Sequence, residues 1–408
     1  MASTVEGGED RLGKYDLCML MAIWMEMSPN AQPPDDPVPS SEEKAACVGV
    51  IALDGNLVHS KIFAAACSSK YSHGVNALAL KYGQRLDGST LFVSRKPCSE
   101  CTKHMIQVGV KTVYYFPTKP EVKKEDDLAI VDHTMKVSHL AMKVLIPEVI
   151  RVKSQPPPYE ATNDKEETKI AQKELEERFG DKPDALSDIQ VPDDDTIEQR
   201  HQEFKEVLTW LAVKTRGDLP SAYIVQNPPP EMLKENEQEL LRHAASLTYI
   251  LAHRTTDPST GVGAVLMNKK GDYLGFGYNG YQINASLADF SRYRGENEKD
   301  KQKVKYPYIV HAEANALLFR NEPEFDPNDT VLFSSKSPCN HCTFHIRHLG
   351  IKHVVAPESS QLPPAASGAI GYGKFDEYCK ADAISKYMFT DSRKCNDNYA
   401  QGDEEKQQ

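Results

Sequence analysis

The sequence lacks a surplus of positive charge and lacks any long apolar run. Lys and Arg number 48 against 59 Asp and Glu, so the formal net charge is −11. Because a nucleic-acid groove needs a basic face, this balance argues against a nucleic-acid partner. No apolar stretch approaches the ~20 residues of a membrane span, and residues 1–14 do not follow the pattern of a signal peptide. We therefore expect a protein of the cytoplasm or the nucleus with no membrane partner.

The chain also lacks the cysteine pattern that is typical of disulfide-stapled domains. It has nine cysteines, and four of them form two Cys-x-x-Cys units, at Cys98 and Cys101 and at Cys339 and Cys342. In a reducing compartment such units indicate metal or redox chemistry. We interpret the single cysteines as small buried hydrophobes.

What the chain does have is an internal repeat. Residues 91–113 align without a gap with residues 332–354, and both segments contain a Pro-Cys-x-x-Cys-Thr unit. Around each unit the apolar pattern predicts a strand–turn–strand pair, a helix, a strand, a second helix and a last strand, an order typical of α/β layers. With 408 residues, the chain is long enough for two cores. We predict an α/β protein with two tandem domains of one fold, each a mixed central sheet flanked by helices.

Changes in composition predict the domain boundaries. The first domain is expected at residues 14–153 and the second at residues 196–390. Between them, residues 154–195 are rich in Pro and in charge, as in a linker. Residues 391–408 form a polar tail that is expected to be disordered.

The second copy carries a pattern of zinc-binding residues. His311 supplies an imidazole, and Cys339 and Cys342 lie three residues apart at the start of a predicted helix, which places both sulfurs on one face. A catalytic zinc site uses three such protein ligands and leaves its fourth position to water. Glu313, two residues after His311, is then placed to carry protons. His-x-Glu followed by Pro-Cys-x-x-Cys is the signature of zinc-dependent nucleobase deaminases.

The chemistry expected at this site is hydrolytic deamination. Glu313 would take a proton from the activated water, hand a proton to N3 of the ring and deliver one to the leaving amine. A closed structural zinc site with four protein ligands is the alternative. It is less well supported, because no fourth Cys or His lies at the usual spacing and because it leaves Glu313 without a role.

The first copy keeps part of the same pattern. His73, Cys98 and Cys101 occupy the ligand positions, while Val75 stands where the second copy has Glu313. Because a valine cannot transfer protons, we predict that the first domain does not deaminate. It would hold a second zinc ion or keep a ligand pocket, or else be a metal-free remnant in which these side chains only pack.

Four segments of the second half carry a family resemblance: TTDPSTGVGAVL (255–266), GYNG (277–280), HAEANAL (311–317) and PCNHC (338–342). With them the chain resembles the cytidine deaminase superfamily, and its second half is most similar to deoxycytidylate deaminases. A degenerate first domain before an intact second one is similar to the two-domain cytidine and dCMP deaminase domain-containing proteins. The resemblance covers about residues 14–117 and 240–390, and it implies two tandem cytidine-deaminase-like domains.

The resemblance implies a zinc enzyme with His311, Cys339 and Cys342 as ligands and Glu313 as the acid–base group. Its substrates would be free deoxycytidine nucleotides, with dCTP favoured because the two-domain relatives act on it. A homo-oligomer is implied as well. The implied substrate-binding residues lie in the GYNG and DPST segments and are Tyr278, Asn279, Ser259 and Thr260.

One segment departs from the family pattern. The connection between Tyr281 and Pro307 is longer than expected and rich in Lys, Arg and acidic residues. We interpret it as a lid whose Arg292 and Arg294 contact the phosphates, because guanidinium groups bind phosphate in a bidentate manner. A charge-balanced solvated loop is the alternative.

The sequence therefore predicts a zinc-dependent deaminase that converts dCTP to dUTP. Its first domain would have a structural role or bind a regulatory nucleotide. Conversion of dCMP to dUMP is the alternative function. A polynucleotide cytosine or adenosine deaminase, or a nucleotide-binding protein without activity, is a second alternative.

Overall fold

The repeat predicted from the sequence is present as two units, each a sheet with its packed helices, which we call the first and the second α/β layer. The computed structural model describes residues 11–35, 45–55, 61–149, 165–180, 194–217, 222–225, 235–257, 260–282, 305–322, 324–357, 373–381 and 385–390. The first layer contains, in chain order, α1 (Lys14–Glu26), β1 (Gly49–Leu53), β2 (Ile62–Cys67), α2 (Gly74–Tyr82), β3 (Thr90–Val93), α3 (Ser99–Gln107), β4 (Thr112–Tyr115), α4 (Glu125–Val137) and β5 (Ala141–Val144).

The second layer repeats this order after a helical segment. That segment and a further strand are α5 (Lys165–Phe179), α6 (Asp194–Ala212) and β6 (Ala222–Val225). The repeated elements are α7 (Glu235–Ala252), β7 (Gly263–Asn268), β8 (Tyr273–Tyr278), β9 (Gly280–Tyr281), β10 (Ile309–Val310), α8 (Ala312–Leu318), β11 (Thr330–Ser334), α9 (Asn340–His348), β12 (His353–Val355), α10 (Gly373–Lys380) and β13 (Ser385–Thr390).

The two main sheets have the same topology. The first has the strand order β2-β1-β3-β4-β5, and the second has β8-β7-β11-β12-β13 with β6 added at its far edge. In each, the first strand pairs antiparallel with both neighbours, and the following three strands run parallel. This confirms the predicted fold class of two mixed sheets flanked by helices.

The central strands are apolar on both faces. All five residues of β1 and all five of β11 are buried. A strand that is covered by helices on both faces has a continuous run of apolar residues, whereas a strand with one solvent-exposed face alternates apolar and polar residues. The burial pattern therefore explains why the segments VIAL and VLF are apolar throughout.

The helices α1 and α7 join the two layers. Trp24 of α1 and His243 of α7 stack with ring centroids 5.1 Å apart. The indole N–H of Trp24 donates to the carbonyl of His243 at 3.1 Å, and Nε2 of His243 donates to the carbonyl of Trp24 at 2.7 Å. One hydrophobic cluster accordingly contains buried residues of both layers. Within the described residues, no helix combines the length and the hydropathy that a membrane crossing requires.

The predicted linker contains a packed helix. Leu175 and Phe179 of α5 are buried, and Arg178 donates from Nε to the buried carboxylate of Glu26 at 3.0 Å. The same carboxylate accepts from Arg95 at 2.7 Å. Residues 165–179 therefore pack against the first layer, while the boundaries at 153 and 196 stay predictions.

Candidate metal centres

Two helices bring the predicted zinc ligands of the second domain together. His311 immediately precedes α8 and Cys339 immediately precedes α9, both with extended backbone angles, and Cys342 follows within the first turn of α9. The Nδ1 atom of His311 lies 3.2 Å from Sγ of Cys339 and 3.3 Å from Sγ of Cys342. The three residues selected by their spacing in the sequence therefore form one cluster of donor atoms.

This donor set fits a zinc ion. Zinc–nitrogen bonds of ~2.0 Å and zinc–sulfur bonds of ~2.3 Å in a tetrahedron place neighbouring ligand atoms ~3.5 Å apart. A hydrogen bond from the Cys342 thiol lowers the pKa of Cys339, and the same bond raises the pKa of Cys342. One sulfur is thus held as a thiolate at a helix N-terminus, where negative charge is favoured.

Glu313 lies beside the donor cluster. It occupies the first turn of α8 and is only 4% exposed. Its Oε2 atom accepts from the Cys342 thiol at 3.5 Å. Burial raises the pKa of Glu313. A carboxyl group that takes up a proton more readily than a surface glutamate is suited to proton transfer.

Asn279 joins two segments of the second domain. Its side-chain oxygen accepts from the backbone N–H of Val262 at 2.7 Å, and its amide donates to the carbonyl of Thr260 at 2.8 Å. Asn279 is 5% exposed. These contacts attach Thr260 and Val262 to the residue that follows β8, and a contact of Asn279 with the sugar or base stays a prediction.

A buried ion pair joins Asp257, a few residues before Thr260, to the end of the charged insert. Lys305, the last lysine of that insert, pairs with Asp257, and both side chains are buried. Nothing in the sequence distinguishes this lysine from the neighbouring lysines of the insert. Ser259, Arg292 and Arg294 lie outside the described residues.

A cavity of about 380 Å³ lies between the two domains. Tyr278 lines this cavity together with three cationic residues, Arg11, Lys14 and Lys61. Burial and the nearby Arg254 lower the pKa of Arg11 to about 10. The predicted zinc ligands are not among the residues that line the cavity. Tyr278, which is predicted to contact the substrate, lines this cavity, and its contact with the substrate stays a prediction.

The first domain forms a similar cluster. His73 immediately precedes α2, and its Nδ1 atom lies 3.5 Å from Sγ of Cys98. Cys98 and Cys101 are 3% and 0% exposed, and Val75 is fully buried in the first turn of α2. The three predicted residues come together here as well, with an apolar side chain at the position of the acid.

A fourth residue, Glu121, completes this cluster and was missed in the sequence. It lies beyond β4 and is 1% exposed. Its carboxylate contacts Nδ1 of His73 at 2.8 Å and accepts from the backbone N–H of Cys98 at 2.9 Å. Burial opposes both charges, but hydrogen bonds with Cys98 and Glu121 raise the pKa of His73 to about 10. The hydrogen bonds with His73 and with the Cys98 N–H lower the pKa of Glu121. The sequence does contain a clue to Glu121, because an acidic residue that follows a parallel strand lies at the edge of the sheet where ligands bind.

Fold and donor sets together define a protein of the zinc-dependent deaminase class. The family model described as the cytidine and deoxycytidylate deaminase zinc-binding region matches residues 35–117 and 234–358. The two matches together span half of the chain, one in each layer. The chain belongs to the cytidine and deoxycytidylate deaminase family, which confirms the resemblance seen in its motifs.

Individual proteins show the same relationship. Cytidine and dCMP deaminase domain-containing protein 1 of Danio rerio is 25% identical, with 86% of this chain and 84% of that protein aligned. Deoxycytidylate deaminase of Mus musculus is 36% identical over 110 residues, which cover 27% of this chain and 60% of that enzyme. The solved dCMP deaminase of cyanophage S-TIM5, in complex with dCMP and dUMP, aligns with 39% of this chain and 97% of its own at 18% identity and a TM-score of 0.24.

Proposed function

We propose that the second domain is a zinc-dependent deaminase of free deoxycytidine nucleotides, with dCTP as the favoured substrate and dCMP as the alternative. The proposal is carried by the convergence of His311, Cys339 and Cys342 on one point, with the Glu313 carboxyl beside them. The relatives named as deoxycytidylate deaminases support the class of substrate. The two-domain arrangement supports dCTP, because the resemblance implies this substrate for the two-domain group.

In the proposed mechanism, the metal site and Glu313 have separate roles. His311, Cys339 and Cys342 would hold the zinc ion, which supplies a Lewis acid that makes a water molecule reactive at neutral pH. Glu313 takes a proton from the attacking water and protonates N3 of the cytosine ring. It then takes the proton of the new C4 hydroxyl and delivers it to the amino group, which leaves as ammonia while the C4 carbonyl forms. Its buried position favours holding the proton between these transfers.

The proposed substrate contacts lie in three segments of the second domain. We place Asn279 and Thr260 in the pocket wall, with Ser259 in the same loop and Tyr278 at the end of β8. Arg292 and Arg294 are proposed to bind phosphate from the charged insert. The Asp257–Lys305 pair supports this arrangement, because it attaches the end of the insert to the wall.

The first domain is proposed to be inactive and to have a structural or regulatory role. Val75 offers no proton carrier, and we propose a second zinc ion at His73, Cys98 and Cys101. The cationic cavity between the domains is a candidate site for a regulatory nucleotide. A homo-oligomer in the cytoplasm or nucleus completes the proposal.

The first experiment is a substrate panel with the full-length protein. dCTP, dCMP, CTP, deoxycytidine and a short single-stranded DNA are incubated separately, and the products are separated by chromatography. Conversion of dCTP to dUTP with the others slow is the expected result. Turnover of dCMP alone would keep the mechanism and replace the substrate. Deamination of the DNA would favour the polynucleotide alternative.

Glu313→Gln tests the mechanism itself. The amide has nearly the same shape but cannot carry the proton, so turnover should fall by at least ~10²–10⁴-fold while the zinc content stays unchanged. Glu377→Gln, an exposed glutamate of α10, is the matched control and should keep wild-type turnover. Wild-type activity in Glu313→Gln would contradict the mechanism. With turnover blocked, the number of dCTP molecules bound per Glu313→Gln chain also reports on a regulatory site.

A further inference from the structure

The carboxylate of Glu121 is rigidly built into the first-domain cluster. Its Oε1 atom lies 2.8 Å from Nδ1 of His73, and its Oε2 atom accepts from the N–H of Cys98 at 2.9 Å. The backbone around it is fixed too, because its N–H donates to the carbonyl of Lys96 at 3.0 Å and its carbonyl accepts from Ala46 at 2.8 Å. Glu121 is therefore held from several sides in a buried position.

The ring nitrogen that Glu121 contacts indicates its role. A carboxylate that only orients a zinc-binding histidine takes the ring nitrogen that the metal does not use. Glu121 contacts Nδ1, the nitrogen that also lies 3.5 Å from Sγ of Cys98. In the second domain it is likewise Nδ1 of His311 that faces the two sulfurs. The carboxylate thus points to the place where the donor atoms converge.

The four donor atoms form a complete set for zinc. One nitrogen, two sulfurs and one oxygen, from His73, Cys98, Cys101 and Glu121, all lie within 4.8 Å of one another. Structural zinc sites have four protein ligands, whereas catalytic sites have three and an open position. Among the described residues, the second-domain group consists of three ligands, and Glu313 lies outside it.

We propose that Glu121 is the fourth protein ligand of a structural zinc ion in the first domain. The coordination position that a catalytic site leaves open is occupied here by a side chain. This inference deepens the proposed second zinc ion and rests on it. The first domain then lacks two requirements for deamination: Val75 removes the proton carrier, and Glu121 removes the place for water.

Zinc release from the full-length protein tests this proposal. The wild type should contain two zinc ions per chain and release one of them slowly to a chromogenic chelator. Glu121→Gln should release that ion at least ~10-fold faster, since even residues that only support ligands contribute 10–100-fold to affinity. Glu313→Gln changes the carboxyl beside the cluster of the other domain and should keep the wild-type rate of the slowly released ion.

A second substitution separates ligation from folding. Glu121→His places another zinc ligand at the same position and should restore slow release. Wild-type release rates in Glu121→Gln, or fast release in a folded Glu121→His, would overturn the proposal. So would a single zinc ion per chain that is lost on Cys339→Ala. A chain with two zinc ions, one released slowly, but no deamination would overturn the proposed function and leave this inference standing.

Discussion

Acid should destabilise the protein through one histidine at the junction of its domains. His243 is 4% exposed, and its Nε2 donates to the carbonyl of Trp24, which leaves Nδ1 to accept from the hydroxyl of Tyr273 at 3.0 Å. Burial lowers the pKa of His243 to about 4, although the Trp24 carbonyl opposes the change; the cation of Arg216 lowers it further. The folded protein therefore holds this ring neutral at pH values where the unfolded chain protonates it.

The size of the effect follows from the two pKa values. The unfolded chain has a histidine pKa of about 6.5, and each pKa unit corresponds to about 1.36 kcal/mol. Between pH 6.5 and 4 the unfolded state binds more protons, so the contribution is fully present above pH 6.5 and is lost as the pH falls towards 4. The whole contribution is about 3 kcal/mol, and about 2 kcal/mol of it disappears between pH 7.5 and 5.

Urea denaturation at pH 7.5 and pH 5, followed by tryptophan fluorescence, measures this loss. Trp24 stacks on the His243 ring, so its emission reports on the junction. In His243→Gln the decrease in unfolding free energy between the two pH values should be about 2 kcal/mol smaller than in the wild type. His133→Gln changes an exposed histidine of α4 and should keep the wild-type pH dependence. An equal decrease in His243→Gln and the wild type would refute the reasoning.

Two further substitutions test the contacts that support the sites. Glu26→Gln removes the buried charge that pairs with Arg95 and Arg178. It should lower the unfolding free energy measured in urea by about 3–5 kcal/mol. The control Glu203→Gln, in a partly exposed ion pair, should lower it by less than about 1 kcal/mol. Gly277→Ala would place a Cβ atom 2.1 Å from the carbonyl oxygen of Ala312 at the start of α8. We expect a stability loss of about 1–3 kcal/mol and reduced dCTP turnover; unchanged melting and turnover would contradict this close contact.

Local spacing explains why most of the metal site could be predicted. His311 and Glu313 lie within three residues of each other, and Cys339 and Cys342 lie within four, so a helix start alone fixes their relative positions. The gap-free repeat then predicts that the same elements recur around His73 and Cys98. These inferences need no knowledge of distant contacts, and the family match and the two identical strand orders bear out the fold.

Contacts between distant segments could not be predicted in this way. Arg178 lies 152 residues from Glu26, in a stretch whose composition is that of a linker. Lys305 lies 48 residues from Asp257, within a run of similar charges that gives no preference for one lysine. Each pair depends on how the completed layers pack, which neither composition nor periodicity specifies.

The two domains differ most in which element supplies the carboxylate. In the second domain Glu313 comes from the first turn of α8, beside the donor cluster, where it can reach a reacting molecule. In the first domain Glu121 comes from beyond β4 and contacts the donor nitrogen of His73 itself. A repeat that preserves the imidazole and both thiols can therefore lose catalysis while keeping a complete donor set for zinc. Under the proposed assignment, Val75 in place of the acid and a zinc ion held by four side chains occur together in the first domain.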